Sequence, residues 1–486
     1  MQEILRKKMK ILNTDICIIG AGSGGLSVAA GARAFGSSVV LIEKDKMGGD
    51  CLNAGCVPSK AFIAAAKKAY AYKGAKGFGV SYIKPEVDFA KVQTYVKNVI
   101  AGIAPHDSVE RFEGLGVKVI KGEGRFIDEK TVEANGIRIK ARRFIIATGS
   151  RPAIPPIAGL KGIKYFTNEN IFDLKVLPTH LIIIGAGSIG IELAQAFNRL
   201  GAKVSVIEKF NALAKDDEEL TKIALENIRS EGVKIYEKTD IENIKQKNDE
   251  IIVSIAANDK QNSKAQSIKG SHLLLAAGRA PNIKGLELEK ANVEFDKNGI
   301  ITNQGLRTSN KKVFAIGDVI HGLQFTHVAG YQASLIVKNA VFGLPIKQNN
   351  DIIPWVTYCE PEIANVGLSE SVAKQRYGNG VKIVRWEFKD NDRARAMQET
   401  KGLVKLIIVK NGRILGAGIV GVGAGELISL FSYAIANKQK ASSLVNFIAP
   451  YPTYSEIARR VGVESYKEKL ENPWIKRYTK LISLLP

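Results

Sequence analysis

A chain of 486 residues, 45% hydrophobic and 24% charged, has the make-up of an ordinary soluble globular protein with about three domains at roughly 150 residues each. Its 70 Lys plus Arg against 48 Asp plus Glu leave a net charge of +22, but the lysines are spread out and no nucleic-acid motif accompanies them, so no nucleic-acid partner is expected. Four cysteines are too few for a disulfide framework, and the basic start, residues 1–10, leads into a strand rather than a signal or membrane-spanning segment, so the expected location is the cytoplasm.

The first predicted element is a strand, Asp15-Ile16-Cys17-Ile18-Ile19, followed by the loop Gly20-Ala21-Gly22-Ser23-Gly24-Gly25 and a helix of small residues to Phe35. Gly20, Gly22 and Gly25 would let backbone N–H groups approach a pyrophosphate at the helix N-terminus. A second strand, Val39-Val40-Leu41-Ile42, ends in Glu43, placed to accept hydrogen bonds from a ribose. Cys17 alternates with apolar neighbours and belongs to the core.

Two cysteines then fall within one short stretch, Gly48-Gly49-Asp50-Cys51-Leu52-Asn53-Ala54-Gly55-Cys56-Val57-Pro58-Ser59-Lys60. A strong helix-forming run follows, which puts Cys56 just before or within the first turn of a helix. The positive end of the helix dipole favours a thiolate, the species active in disulfide exchange and in soft-metal binding. Cysteines five positions apart can close a small ring, a candidate redox centre. A buried pair or half of a zinc site are the alternatives, and zinc lacks a second cysteine pair or a paired-histidine motif.

The glycine device recurs 165 positions on, from Gly20 to Gly185. Leu181-Ile182-Ile183-Ile184 lead into Gly185, Gly187 and Gly190, and Val204-Ser205-Val206-Ile207 end in Glu208, which follows its first glycine by the same interval as Glu43. Two matching sets of loop, strand and acid imply a doubled dinucleotide fold. A carboxylate at Glu208 suits a free 2'-hydroxyl and repels a 2'-phosphate, so NADH is preferred over NADPH, with Lys209 and Lys215 as the nearby cations that could accommodate a phosphate.

On the cysteine stretch and both loops, from Asp15 to about Val463, the chain resembles the class I pyridine nucleotide-disulfide oxidoreductases, the family of dihydrolipoamide dehydrogenase, glutathione reductase and mercuric reductase. The resemblance implies an α/β fold of two nested Rossmann-like domains, for FAD and NAD(P), plus a C-terminal α+β dimerisation domain. The corresponding segments are 1–160 and 291–353 for FAD, 161–290 for NAD(P), 354–470 for the interface and 471–486 for a separate tail. By the same correspondence Cys51 and Cys56 form a redox-active disulfide, Cys56 being the flavin-proximal, charge-transfer thiol and Cys51 the interchange thiol. Lys60 and Glu192 would form an ion pair beside the flavin, where a cation stabilises developing negative charge. Ala147-Thr148-Gly149, Gly278-Arg279 and Gly317-Asp318 match segments that close the cofactor sites, and Glu360-Pro361-Glu362 and the glycines near Gly416 match the interface domain. Cys359, beside that motif, has a structural role. The expected assembly is a homodimer whose active sites take residues from both subunits.

The pattern breaks near the C-terminus. Where dihydrolipoamide dehydrogenase and glutathione reductase carry an acid-base histidine followed by a glutamate, this chain has Tyr451 and Glu456. A phenol with a pKa near 10 is a poor proton shuttle at neutral pH. Tyrosine there is similar to mercuric reductase, but the C-terminal cysteine pair and N-terminal metal-binding domain of that enzyme are missing. The reading is electron transfer from NADH through FAD and the Cys51-Cys56 pair to a small disulfide or thiol-type acceptor. Its rivals are reduction of a soft metal ion and a slow-turnover redox sensor; no resident metal is expected. In the tail, Trp474, Ile475, Tyr478, Leu481, Ile482 and Leu485 share a helical face opposite Lys476, Arg477 and Lys480, which suits either peripheral membrane contact or packing on the body.

Overall fold

The computed structural model describes residues 10–81, 83–256, 266–467 and 472–484. Ile16, Cys17, Ile18 and Ile19 are buried without alternation, the mark of a central strand covered on both faces. Each fully buried isoleucine contributes about 2 kcal/mol. The strand runs Lys10–Ile19, longer than the five residues read from the sequence, because it pairs in parallel along its length with Ile137–Ile146, from Lys10 opposite Ile137 to Ile19 opposite Ile146. On its other side lie Val39–Glu43 and then Lys118–Lys121, also parallel, while Thr131–Ala134 and Arg125–Asp128 add an antiparallel edge. Val313–Ala315 pairs with the end of Ile137–Ile146, so the chain leaves this sheet and later returns to it.

Between departure and return stands a second parallel sheet, in the order Lys234–Tyr236, Lys203–Ile207, His180–Ile184, His272–Leu275. The chain crosses and returns through one small ribbon, where Ser150–Pro152 pairs antiparallel with Arg279–Pro281. Residues at that crossing are held close to both sheets. A third sheet is wholly antiparallel, in the order Pro354–Thr357, Glu362–Gly367, Ile414–Gly421, Leu403–Val409, Val381–Glu387. The helix Ala424–Ala436 covers it with Ile428, Phe431 and Ala434.

Two buried cations join this third sheet to the second. Lys405 reaches Asp217 at 2.8 Å, Glu219 at 3.1 Å and Glu370 at 2.6 Å, and Arg199 pairs with Glu231 at 2.6 Å and with Glu360. Removing one member of such a cluster leaves an uncompensated buried charge, at a cost of about 3 kcal/mol. The tail forms a helix, Pro473–Ile482, that buries no residue, so packing on the body is not what the structure has; Leu485 lies outside the described residues. Among the described residues no helix is long and apolar enough to cross a membrane, and no group of three or more His, Cys, Asp and Glu is placed to hold a metal ion.

Candidate active site

The two glycine loops are built alike. Gly20 and Gly185 have φ of +105° and +104°, and a Cβ on either would lie 2.4 Å from a carbonyl, of Ala147 and Ala276 respectively. Gly25 and Gly190 open the helices so closely that a Cβ would meet the carbonyl oxygen of Gly20 at 1.9 Å and of Gly185 at 2.0 Å. The helices Ser23–Ala34 and Ser188–Arg199 begin at Gly22 and Gly187 with no side-chain cap and no acid in the first turn. By contrast Asp88, Ser108, Asp217, Ser369 and Asn391 cap the helices that follow them. These two N-termini, each opened by glycines that leave the backbone N–H groups uncovered by side chains, fit the pyrophosphates of two dinucleotides.

Each acid steadies its loop. Glu43 accepts from the Ala21 N–H at 2.6 Å and the Asp45 N–H at 2.7 Å, and Glu208 accepts from the Ala186 N–H at 2.8 Å and the Phe210 N–H at 2.9 Å. Their oxygens keep further lone pairs for a ribose hydroxyl.

The dithiol stands beside the first loop. Gly48 bridges to Gly22, and a short helix unforeseen in the sequence, Gly49–Asn53, carries Cys51. Cys56 is the first residue of the helix Cys56–Tyr70. Both are free thiols within hydrogen-bond reach of each other, and the Cys56 sulfur lies 3.3 Å from the hydroxyl of Thr326, itself the first residue of the helix Thr326–Phe342. The Cys51 hydrogen bond, helped by Thr326 and Lys60, outweighs burial and brings the Cys56 thiol down to about 6. Giving that hydrogen bond, together with burial, pushes the Cys51 thiol well up. One proton is thereby assigned to Cys51 and one negative charge to Cys56.

Lys60, one turn along from Cys56, pairs with the buried Glu192 at 2.8 Å. Glu192 also accepts from the Tyr358 N–H at 2.9 Å, and the Lys60 ammonium sits 4.4 Å from the centre of the Tyr358 ring. Burial opposes the ammonium, but the Glu192 carboxylate prevails and holds its pKa above the ordinary value.

A second group closes the other side. Arg279, at the ribbon crossing, reaches Asp50 at 3.1 Å and Asp318 at 3.6 Å and donates to the Ser150 hydroxyl at 2.7 Å; Ser150 in turn donates to Asp318 at 2.7 Å. Burial holds the Asp318 carboxyl above its usual range despite these partners. Asn168 donates to Asp50 at 2.9 Å and to the Ala54 carbonyl at 3.2 Å, so it clasps the short dithiol helix at both ends. Thr148 and Asn282 exchange hydrogen bonds of 2.8 and 3.0 Å, Gly149 accepts from the Asn282 N–H, and the Gly317 N–H donates to Gln332 at 2.7 Å. Ala153 N–H donates to the Gly278 carbonyl at 2.9 Å.

Tyr451 and Glu456 lie elsewhere, on the third-sheet domain. The Tyr451 hydroxyl donates to Asp392 at 3.1 Å, a bond that raises its pKa, and the side chain is exposed. Glu456 opens the helix Glu456–Glu464 and lies 3.9 Å from Arg460. Sequence reading passed over Thr326, Tyr358, Asp50, Asn168 and Ser150. Asp50 carried a usable signal, an acid inside the cysteine motif itself.

A chain with two nucleotide-ready helix ends flanking one polarised dithiol is laid out as an oxidoreductase that moves electrons between a nucleotide and sulfur. The sequence profile of the pyridine nucleotide-disulphide oxidoreductases matches residues 14–333, and that of their dimerisation domain matches residues 353–461. The chain belongs to this family. It is 34% identical over 447 residues to a mercuric reductase of Lysinibacillus sphaericus, covering 91% of this chain and 81% of that one. It is 32% identical over 455 residues to a dihydrolipoyl dehydrogenase of Geobacillus stearothermophilus, covering 92% and 95%. Among solved structures, the Cu(II) complex of the HOCl-induced flavoprotein disulfide reductase RclA from Escherichia coli superposes with a TM-score of 0.81 at 25% identity, covering 92% and 99%. The protein is therefore an FAD-dependent enzyme with two nested nucleotide-binding folds and a dimerisation domain.

Proposed function

We propose that this enzyme draws electrons from NADH and delivers them through Cys51 and Cys56 to a small disulfide or thiol-type acceptor. The observation that carries the reading is the dithiol itself, Cys51 and Cys56 within hydrogen-bond reach of each other, with Cys56 at a helix N-terminus beside Thr326 and one turn from Lys60. FAD, held by Gly20, Gly22, Gly25, Glu43, the segment Ala147-Thr148-Gly149 and the Arg279 and Asp318 group, supplies the electron relay between nicotinamide and dithiol when bound. The Gly185, Gly187 and Gly190 loop and Glu208 hold the nicotinamide cofactor. Lys209 is tied to Asp240 at 2.8 Å, which leaves less positive charge for a 2'-phosphate and supports NADH. Lys60, steadied by Glu192, keeps a positive charge one helical turn from Cys56.

In the reduced protein Cys51 gives up its proton and attacks one sulfur of the acceptor. A mixed disulfide forms and the departing thiolate takes that proton. The Cys56 thiolate then attacks the Cys51 sulfur, the second acceptor thiolate leaves and takes a proton from solvent, and the Cys51-Cys56 disulfide is restored. Two electrons reach the acceptor. In a homodimer paired through the 353–461 domain, Tyr451 and Glu456 would approach the dithiol of the partner subunit. A phenol held above its ordinary pKa by Asp392 can donate a hydrogen bond there but is a poor base.

The same thiols could instead present a soft metal ion as substrate, a reading favoured by the mercuric reductase relatives and by Tyr451 in place of a histidine. Anaerobic NADH titration of native and Cys56→Ser protein tests the coupling. The expected result is a long-wavelength thiolate-to-flavin band in the native protein only; full flavin bleaching without that band overturns it. A screen of lipoamide against mercuric ion in excess thiol then separates the two acceptors.

A further inference from the structure

The helix Pro473–Ile482 takes no part in the electron path and is exposed along its whole length. Trp474 is 75% exposed, Tyr478 64% and Leu481 63%, and with Ile475 and Ile482 they form one apolar arc. Its 10 residues span about 15 Å, half the hydrocarbon thickness of a bilayer, so it can lie along a membrane but not cross one. Lys476 and Lys480 lie on the face opposite the arc and Arg477 at its edge, no acid occurs among residues 472–484, and the Arg477 guanidinium sits 5.5 Å from the Trp474 ring. An aromatic-anchored apolar stripe whose polar face carries cations and no acid has the chemistry of an interfacial helix.

We propose that this helix docks the enzyme on a lipid surface with anionic headgroups. Charge decides between the occupants. A second copy of this helix would bring the same Lys476, Arg477 and Lys480 with no acid to answer them, whereas an anionic surface attracts both the helix and the body. The docking is independent of the acceptor chemistry, so either reading can fail without the other.

The test uses the full-length, flavin-loaded protein sedimented with vesicles of phosphatidylcholine alone or with added phosphatidylglycerol. The expected result is at least about tenfold more protein on the anionic vesicles, falling with salt. Trp474→Glu with Leu481→Glu should abolish the difference, and so should Lys476→Gln, Arg477→Gln and Lys480→Gln together. All variants should keep the parent's melting temperature, flavin content and activity with a soluble acceptor. Equal binding of parent and Trp474→Glu/Leu481→Glu protein overturns the proposal in favour of general attraction by the body. No binding to anionic vesicles at low salt, or a smaller assembly in the apolar-face variant by analytical ultracentrifugation, overturns it in favour of a contact within the protein's own oligomer.

Discussion

The two glycine loops share a backbone but not a neighbourhood. Their first and last glycines meet the same obstacles at nearly the same distances, and their acids accept from corresponding N–H groups. The middle glycines differ: Gly22 faces Gly49 of the dithiol segment, with its Cβ position 4.0 Å from the Gly49 Cα, while nothing lies within 4 Å of that position at Gly187. A repeated fold thus becomes two different sites through what the chain places opposite the repeat. The first loop is walled by the dithiol segment, Gly48 bridging to Gly22 and Gly49 facing it, and the second loop is open at Gly187.

The likeness breaks most severely if its last glycines are changed. Gly25→Ala and Gly190→Ala should each cost about 3 kcal/mol or more in urea unfolding, because both push a methyl group into their own loop. Costs differing by more than about 1 kcal/mol would mean that the loops are not equivalent scaffolds. The acids come next. Glu43→Ala should cost about 2 kcal/mol and release flavin, whereas Glu208→Ala should retain flavin and raise the KM for NADH roughly tenfold. An unchanged KM with tight NADPH use would remove the assigned role of Glu208.

The walled side can also be probed by pH. With its pKa lowered to about 6, Cys56 in the reduced protein should be alkylated by iodoacetamide at a rate that falls about tenfold per unit below pH 6 and levels off above it. A rate still climbing steeply at pH 8 would contradict the thiolate assignment. The smallest effect on stability is expected at the middle glycine of the open loop. Gly187→Ala should change the unfolding free energy by less than about 0.5 kcal/mol while weakening NADH binding. A large loss of stability there would show that the protein itself needs the space.

Sequence patterns revealed what depends on neighbours along the chain. Both loops, their acids and the entry of Cys56 into a helix follow from glycine spacing, alternation and helix propensity, all local properties. The length of the first strand did not, since residues 10–14 are polar or mixed and are held by pairing with a strand more than a hundred positions away. Nor did the setting of the thiols: Thr326 reaches Cys56 across 270 positions and Asn168 reaches Asp50 across 118. Such contacts arise only when two sheets and a ribbon crossing are assembled. The place of Tyr451 was readable as a departure from a motif, but its Asp392 partner was not.

The remaining cysteines have a practical consequence. Cys17 and Cys359 are fully or almost fully buried, and burial raises both thiols far above neutrality. Cys359 further directs its sulfur at the Pro361 carbonyl, 3.1 Å away. Both are silent to a thiol reagent while the fold is closed, and they sit in separate cores, one in the central strand of the first sheet and one between the second sheet and the dimerisation domain. The order in which they begin to react under mild denaturant would record which half of the protein opens first, giving the molecule two internal clocks for its own unfolding.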